Sequence, residues 1–165
     1  MDNIILIGMP ATGKSTVGVV LAKLIGYDFI DVDILISKEQ GRPLSRIIAE
    51  EGYERFIEIE GKVGAGLRCE KTVVATGGSM VFSEAAMKNL SSLGKLVWID
   101  SPLAELEKRV SGSLEDRGVA APENMTMGQI FDLRRPLYEK YADIKIDGRG
   151  NAETVVSLIR ERLSI

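Results

Sequence analysis

The segment that most constrains this 165-residue chain lies close to its start. A short apolar run at residues 4–7 leads into GMPATGKS, which fits the pattern G-x-x-x-x-G-K-[ST] between a predicted strand and a predicted helix. In that context the pattern is typical of a phosphate-binding loop rather than of an ordinary glycine turn. Gly8 and Gly13 permit a positive φ and close approach, so successive backbone N–H groups can point at an anion. The helix that begins near Lys14 adds the positive end of its dipole.

The loop therefore predicts a site for a nucleoside triphosphate. Lys14 is expected to reach the β- and γ-phosphates, and the Ser15 hydroxyl is expected to hold Mg²⁺. The predicted ATP-binding residues of this segment are Gly8, Met9, Pro10, Ala11, Thr12, Gly13, Lys14, Ser15 and Thr16.

Composition narrows the class of protein and of partner. A formal net charge of −3 argues against a broad nucleic-acid or membrane surface. We expect no leader segment and no membrane span, and the single cysteine suits a reducing compartment, so the chain is predicted to be cytoplasmic. No histidine occurs, so a general base would have to be a carboxylate or another group. We expect one domain, over residues 1–165, with a small-molecule substrate.

Predicted strands alternate with predicted helices along the whole chain. This order implies an α/β fold with a parallel sheet covered on both faces, in which the loops that follow the strands meet at one edge. The phosphate loop, the carboxylates at residues 31 and 33, and the Gly-Gly turn after the third strand should therefore converge. Residues of about 32–62 are the predicted acceptor-binding region, and the irregular segment of about 111–124 is predicted to be a lid.

Two carboxylates follow the second predicted strand. Alternation along an extended chain would place Asp31 and Asp33 on one face, toward the phosphates. One of them could steady Mg²⁺, and we assign this role to Asp31. The other, Asp33, could accept a hydrogen bond from a hydroxyl nucleophile and orient it. For either residue, the alternative is that it caps the following helix.

Other segments offer groups for an acceptor or for phosphates. The turn of residues 76–79 presents backbone N–H groups that could face a substrate carboxylate or hydroxyl. Arg117 in the predicted lid and Arg134 are placed for anion work, and an arginine over the transferring phosphates would stabilise transition-state charge. Arg117 could instead be a solvated charge, and Arg109 ends a helix where a cation is favourable on structural grounds alone.

Together these segments resemble the shikimate kinase family. Besides the phosphate loop, the family pattern F-I-D-x-D stands at residues 29–33, T-G-G-G is matched at 76–79 with serine at the last position, and R-x-P-L-Y stands at 134–138. The resemblance implies a nucleoside-monophosphate-kinase-like fold, with five parallel strands in the order 2-3-1-4-5, helices on both faces and a lid. It also implies ATP-dependent phosphorylation of the 3-hydroxyl of shikimate.

The resemblance also implies roles for individual residues. Lys14 and Arg117 would contact phosphates, Ser15 would hold Mg²⁺, Arg109 matches the adenine-side arginine, and Asp33 would bind the substrate hydroxyls. The residues that would line the ring or pair with the substrate carboxylate are Gly77, Gly78, Ser79 and Arg134.

Two segments depart from the family pattern. Where the family has G-E-x-x-F-R-x-x-E, this chain has GYERFIEIE at residues 52–60, so Ile57 stands in place of the substrate-carboxylate arginine while Glu60 is kept. Arg55 lies about 200° around the helix from that position and cannot replace it directly. A lost Arg–carboxylate contact should cost about 2–3 kcal/mol of binding. The lid reads RGVA at residues 117–120, where the family has R-P-L-L.

We therefore expect an ATP- and Mg²⁺-dependent kinase with shikimate as the leading acceptor and Ile57 in the acceptor site. One alternative is a kinase of another polyol or hydroxy acid, such as a sugar acid. The alternative from another class is a regulator that binds ATP without turnover. A monomer is expected, and the preference for ATP over GTP stays open.

Overall fold

The computed structural model describes residues 3–110, 119–122 and 124–165. Over these residues the chain forms five parallel strands in the order β2-β3-β1-β4-β5, as predicted. The strands are β1 (Asn3–Ile7), β2 (Asp28–Asp31), β3 (Thr72–Ala75), β4 (Gly94–Asp100) and β5 (Ile144–Asp147). The helices are α1 (Lys14–Ile25), α2 (Val32–Gln40), α3 (Leu44–Glu51), α4 (Tyr53–Gly66), α5 (Glu84–Leu93), α6 (Leu103–Arg109), α7 (Met127–Tyr141) and α8 (Ala152–Leu163).

The central strand β1 explains why the sheet has two covered faces. All five of its residues are buried, which is typical of a strand packed on both sides. Ile4 and Leu6 join a core cluster with residues of α1 and α8, whereas Ile5 and Ile7 join a second cluster built largely from α2 to α7. The period of two along the strand therefore feeds both cores.

Two prolines lie at or within the helices of the second half of the chain. Pro102 occupies the N-cap position of α6, and α7 continues through Pro136 without a break. A short 3-10 turn, Met80–Phe82, was not predicted.

Most of the predicted lid of residues 111–124, including Arg117, lies outside the described residues. Within the described part of the chain, no helix is long and apolar enough to cross a membrane.

Helix α7 is anchored to the sheet by a cluster around Trp98. The Arg135 guanidinium donates to both carboxylate oxygens of Asp100, at 2.7 and 3.2 Å, and lies 5.1 Å from the centre of the Trp98 ring. Lys145 of β5 lies 4.7 Å from the same ring and 3.0 Å from the Asp100 carboxylate. The ring of Tyr138, one turn along α7, lies 6.1 Å from Trp98. These contacts fix the helix that carries Arg134.

Candidate active site

A cavity of about 390 Å³ opens where β1, β2 and β3 end. Its position agrees with the predicted convergence of the three loops. The predicted site residues that line it are Pro10, Ala11, Gly13, Lys14, Ser15, Thr16, Asp33, Gly77, Gly78, Ser79 and Arg134.

The phosphate loop has the backbone expected of it. Gly8 and Gly13 adopt φ angles of 147° and 87°, and a side-chain carbon at Gly8 would lie 2.6 Å from the Ile99 carbonyl oxygen. Helix α1 begins at Lys14, so its first N–H groups face the loop. The loop can thus surround an anion with backbone donors.

Lys14 is held inside this loop. Its ammonium donates to the carbonyl oxygens of Gly8 and Met9, at 2.8 and 2.7 Å, and the side chain is buried. Burial lowers the pKa of Lys14 to about 8, although the nearby carboxylates of Asp33 and Asp31 act in the opposite direction. The result is a cation that is still largely charged at neutral pH and stands at the loop's centre.

The two carboxylate oxygens of Asp31 accept hydrogen bonds from different segments. Oδ1 accepts from the backbone N–H groups of Asp33 and Ile34, at 2.9 and 3.3 Å, and so caps α2. Oδ2 accepts from the Ser15 hydroxyl at 2.5 Å. Capping and metal binding, stated above as alternatives, are therefore compatible in this residue. A hydroxyl and a carboxylate side by side form a set of hard oxygen donors of the kind that Mg²⁺ prefers, so these residues fit the ion.

Asp33 reaches the cavity for a reason different from the one expected. Strand β2 ends at Asp31 and α2 begins at Val32, so alternation along an extended chain does not apply to Asp33. The first turn of α2 carries its side chain into the cavity instead. Burial raises the pKa of Asp33 to about 6; Asp31 adds to the rise and Lys14 opposes it. At neutral pH this group is ionised yet more basic than an ordinary aspartate.

Glu60 is the functional candidate to which sequence reasoning assigned no role. It lies on α4 with 1% of its surface exposed, and its Oε1 accepts from the Ser79 hydroxyl at 2.5 Å. Its other oxygen, Oε2, has no hydrogen-bond partner among the described residues. Burial raises the pKa of Glu60 to about 7. The signal that could have found it is its place in the family pattern, next to the buried Phe56 and Ile59.

The glycine turn fits tightly between these carboxyl groups. A side-chain carbon at Gly77 would lie 2.2 Å from Glu60 Oε2 and 2.9 Å from Asp33 Oδ1. At Gly78 it would lie 2.9 Å from a ring carbon of Pro10 and 3.0 Å from Nη1 of Arg134. The absence of side chains here lets the turn pass between the phosphate loop, α2 and α4.

Arg134 points into the cavity from α7. It is 2% exposed, its Nη2 donates to the Ala120 carbonyl oxygen, and its guanidinium lies 5.5 Å from the centre of the Phe82 ring. Among the described residues no carboxylate forms an ion pair with it. One turn further along α7, the Tyr138 hydroxyl donates to the Gly78 carbonyl oxygen at 2.5 Å. A buried guanidinium without a carboxylate partner is suited to an anionic ligand.

Ile57 and Arg55 are not among the residues that line this cavity. Ile57 is partly buried against the larger core cluster, and the residues of this segment that line the cavity are Phe56 and Glu60. Arg55 is on the surface, where it pairs with Glu58 at 2.8 Å and Glu51 at 3.5 Å. The structure thus agrees that Arg55 does not replace the family's arginine.

Arg109 lies at a second, smaller cavity of about 220 Å³. Its guanidinium donates to the carbonyl oxygens of Ala11 in the phosphate loop and Gly148 after β5, both at 3.3 Å. Glu105, one turn earlier on α6, pairs with it at 3.2 Å. This cavity also includes Thr12 and Thr16, so it adjoins the far side of the phosphate loop.

Comparison with known proteins decides the family. A shikimate kinase family model matches residues 10–164. The chain belongs to the shikimate kinase family. It is therefore a small-molecule kinase that transfers phosphate to a hydroxyl group, and the family uses ATP as a substrate.

Individual relatives agree with this assignment. A shikimate kinase of Clostridium botulinum is 34% identical over 163 residues, which is 97% of this chain and 95% of that protein. The crystal structure of shikimate kinase from Aquifex aeolicus has a TM-score of 0.84 at 34% identity and covers 98% of this chain and 96% of its own. A shikimate kinase from Acinetobacter baumannii, solved in complex with shikimate, has a TM-score of 0.84 at 25% identity, over 99% and 94% of the two chains. The predicted fold and kinase class are confirmed.

Proposed function

We propose that this chain transfers the γ-phosphoryl group of ATP to the 3-hydroxyl of shikimate. The observation that carries the proposal is that one cavity is lined by Lys14, Asp33 and Arg134, the last without a carboxylate partner among the described residues. These groups are a phosphate-binding cation, a carboxylate for the attacking hydroxyl and a cation for an acidic acceptor. Phosphoryl transfer depends mainly on positioning and charge stabilisation, which these groups can supply.

The triphosphate would lie along the phosphate loop. Lys14 would exchange its contacts with the Gly8 and Met9 carbonyl oxygens for contacts with phosphate oxygens. Ser15 and Asp31 would hold Mg²⁺, which, when bound, neutralises charge on the phosphates. The second cavity, beside Arg109, would take the nucleoside end of ATP because it adjoins the loop on the other side.

The acceptor would lie between α2, α4 and the glycine turn. The Asp33 carboxylate would accept the hydrogen bond of the attacking hydroxyl and orient that oxygen toward the γ-phosphorus. Arg134 would pair with the substrate carboxylate, and Gly77, Gly78 and Ser79 would line the ring. Arg117, which lies outside the described residues, stays predicted as a phosphate contact. Action as a cytoplasmic monomer likewise remains a prediction.

A screen of ADP release tests the acceptor. ATP and Mg²⁺ are supplied with shikimate, quinate, gluconate, homoserine or a nucleoside monophosphate, and kcat/KM is compared. We expect shikimate to give the highest value, with ³¹P NMR placing the phosphate on the 3-hydroxyl. A higher value with gluconate would favour the alternative of a sugar-acid kinase. Tight ATP binding without acceptor-stimulated ADP release would contradict the kinase proposal altogether.

A further inference from the structure

The two departures from the family pattern in the acceptor region meet at Glu60. Ile57 lies three residues before it on α4, and Ser79 stands at the last position of the turn that reads T-G-G-G in the family. Residues three apart on a helix are neighbours, so an arginine at position 57 would lie within ion-pairing reach of Glu60. In this chain position 57 is an isoleucine, which cannot form that ion pair.

Ser79 supplies a partner from the opposite side. Its hydroxyl donates to Glu60 Oε1 at 2.5 Å, and the two residues are only 4% and 1% exposed. A buried carboxyl group is costly without a hydrogen-bond partner. Glycine at position 79 would leave both Glu60 oxygens without a partner among the residues that the structure describes. The serine hydroxyl therefore compensates locally for the missing arginine.

The hydrogen bond between Ser79 and Glu60 also affects the position of the glycine turn at residues 76–79. Gly77, two residues before Ser79, lies directly against Glu60 Oε2 and Asp33 Oδ1. A carboxyl group that changed rotamer would therefore move into Gly77 or away from it. Holding Glu60 from Ser79 fixes the distance between α4 and the turn, and with it the backbone that faces the acceptor.

We propose that Ser79 is a positioning residue that replaces the family's arginine as the partner of Glu60 and so keeps the Gly77–Gly78 turn in place for the acceptor. This inference rests on the proposed function, since the effect is read through acceptor binding. The Ser79 hydroxyl acts through Glu60, whereas the rest of the residue lines the cavity, and the predicted effect falls on the acceptor half of the site.

The charge state of Glu60 supports this arrangement. The pKa of about 7 means that the buried carboxyl group is partly protonated near neutral pH, a state that a hydroxyl partner tolerates better than an arginine would. The titratable groups that face Glu60 are Asp33 from α2, Lys14 from α1, Tyr53 from α4, and Arg134 and Tyr138 from α7. Of these, Asp33 raises the pKa of Glu60, whereas Arg134 and Lys14 lower it.

A set of kinetic variants tests the pair. Ser79→Ala should raise KM for shikimate about tenfold, since a buried hydrogen bond to a carboxyl group is lost, and should leave KM for ATP within about twofold. Ser79→Gly should also raise KM for shikimate in the wild-type background. In an Ile57→Arg background it should not, because the arginine then pairs with Glu60. Ser157→Ala is the matched control, since that exposed hydroxyl also makes one hydrogen bond, to a backbone carbonyl oxygen on α8.

Two results would overturn the proposal. One is an unchanged KM for shikimate in Ser79→Ala. The other is a rise in KM for shikimate on Ser79→Gly that is equally large with and without Ile57→Arg. If Ser79→Ala does not fold, Ser79→Cys, which replaces the hydroxyl with a weaker donor, provides the same comparison.

A titration separates this inference from the choice of acceptor. If the wild-type protein does not phosphorylate shikimate, the proposed function is wrong, and the pair can still be measured by ¹³C NMR of labelled glutamate. The Ser79 hydroxyl lowers the pKa of Glu60, so that pKa should rise in Ser79→Ala. An unchanged pKa would contradict the role of Ser79 whatever the acceptor is.

Discussion

Gly77→Ala is the substitution whose effect the geometry defines most closely. The added methyl carbon would lie 2.2 Å from Glu60 Oε2 and 2.9 Å from Asp33 Oδ1, well inside normal contact distances. Gly77 is not in the left-handed region, so the backbone tolerates alanine and the whole effect is steric. One carboxyl group or the turn itself must move by about 1 Å.

The size of the effect follows from what can move. Glu60 is buried and bonded to Ser79, and Asp33 lies in the first turn of α2, so neither can leave freely. Overpacking of this kind costs about 1–3 kcal/mol of stability. A displacement of about 1 Å in an acceptor site can cost about 100-fold in rate. We therefore expect kcat/KM for shikimate to fall by about two orders of magnitude, while KM for ATP changes little.

The assay is coupled ADP release with varied shikimate at saturating ATP, and then with varied ATP. Gly66→Ala is the matched control, because Gly66 ends the same helix α4 as Glu60 and an added carbon there has no neighbour within 4 Å. That control should retain wild-type kinetics. Full activity of Gly77→Ala toward shikimate would refute the tight packing of the turn against Glu60 and Asp33.

The remaining predictions concern single charged groups of the site. Lys14→Ala should lower kcat by orders of magnitude with an unchanged circular dichroism spectrum, and unchanged turnover would remove the loop from the chemistry. In the wild type, kcat/KM for shikimate should fall about tenfold per pH unit below about pH 6, where Asp33 becomes protonated, and this limb should be absent from the residual activity of Asp33→Asn. Arg134→Lys keeps the charge but loses the bidentate geometry, so KM for shikimate should rise at least about tenfold while KM for ATP is retained; equal effects on both would contradict a role in acceptor binding. Glu60 has a folded-state pKa of about 7 against an ordinary 4.5, so its contribution to stability is complete below pH 4.5 and is lost as the pH rises through 7. The free energy of unfolding should therefore fall by about 3 kcal/mol as Glu60 ionises. Urea unfolding between pH 5 and pH 8 should show a smaller fall in Glu60→Gln, and an identical pH dependence in both proteins would contradict the assignment.

The parts of the fold that could be predicted are those with a local signature. Three signals lie within a few residues of one another: the apolar run of β1, the glycine pattern of the phosphate loop and the helical period of α1. Because they are local, a single sequence is enough to predict them. The order of the strands came from the family resemblance, and the structure confirms it. Convergence of loops at one sheet edge predicts that Asp33 and Gly77 lie close together, and both line the same cavity although Asp33 is helical rather than extended.

What could not be predicted depends on contacts between distant segments. The hydrogen bond of Ser79 to Glu60 spans 19 residues, and that of Tyr138 to Gly78 spans 60. Nothing in the local pattern of either segment specifies its partner. The two contacts of Asp31, with the α2 cap and with Ser15, likewise cannot be predicted, because the sequence does not show that its two oxygens face different neighbours.

The cluster that anchors α7 also has an optical consequence. Trp98 is the chain's single tryptophan, it is 2% exposed, and its ring is flanked by Arg135, Lys145 and Tyr138. Tyr138 in turn donates its hydroxyl hydrogen to the Gly78 carbonyl oxygen, in the turn that we propose faces the acceptor. Selective excitation of tryptophan therefore reports on one ring, which lies beside two cations and the ring of Tyr138. Since Tyr138 links this ring to Gly78, we expect the emission of Trp98 to change when an acceptor binds, and such a change would allow binding to be titrated without an added label.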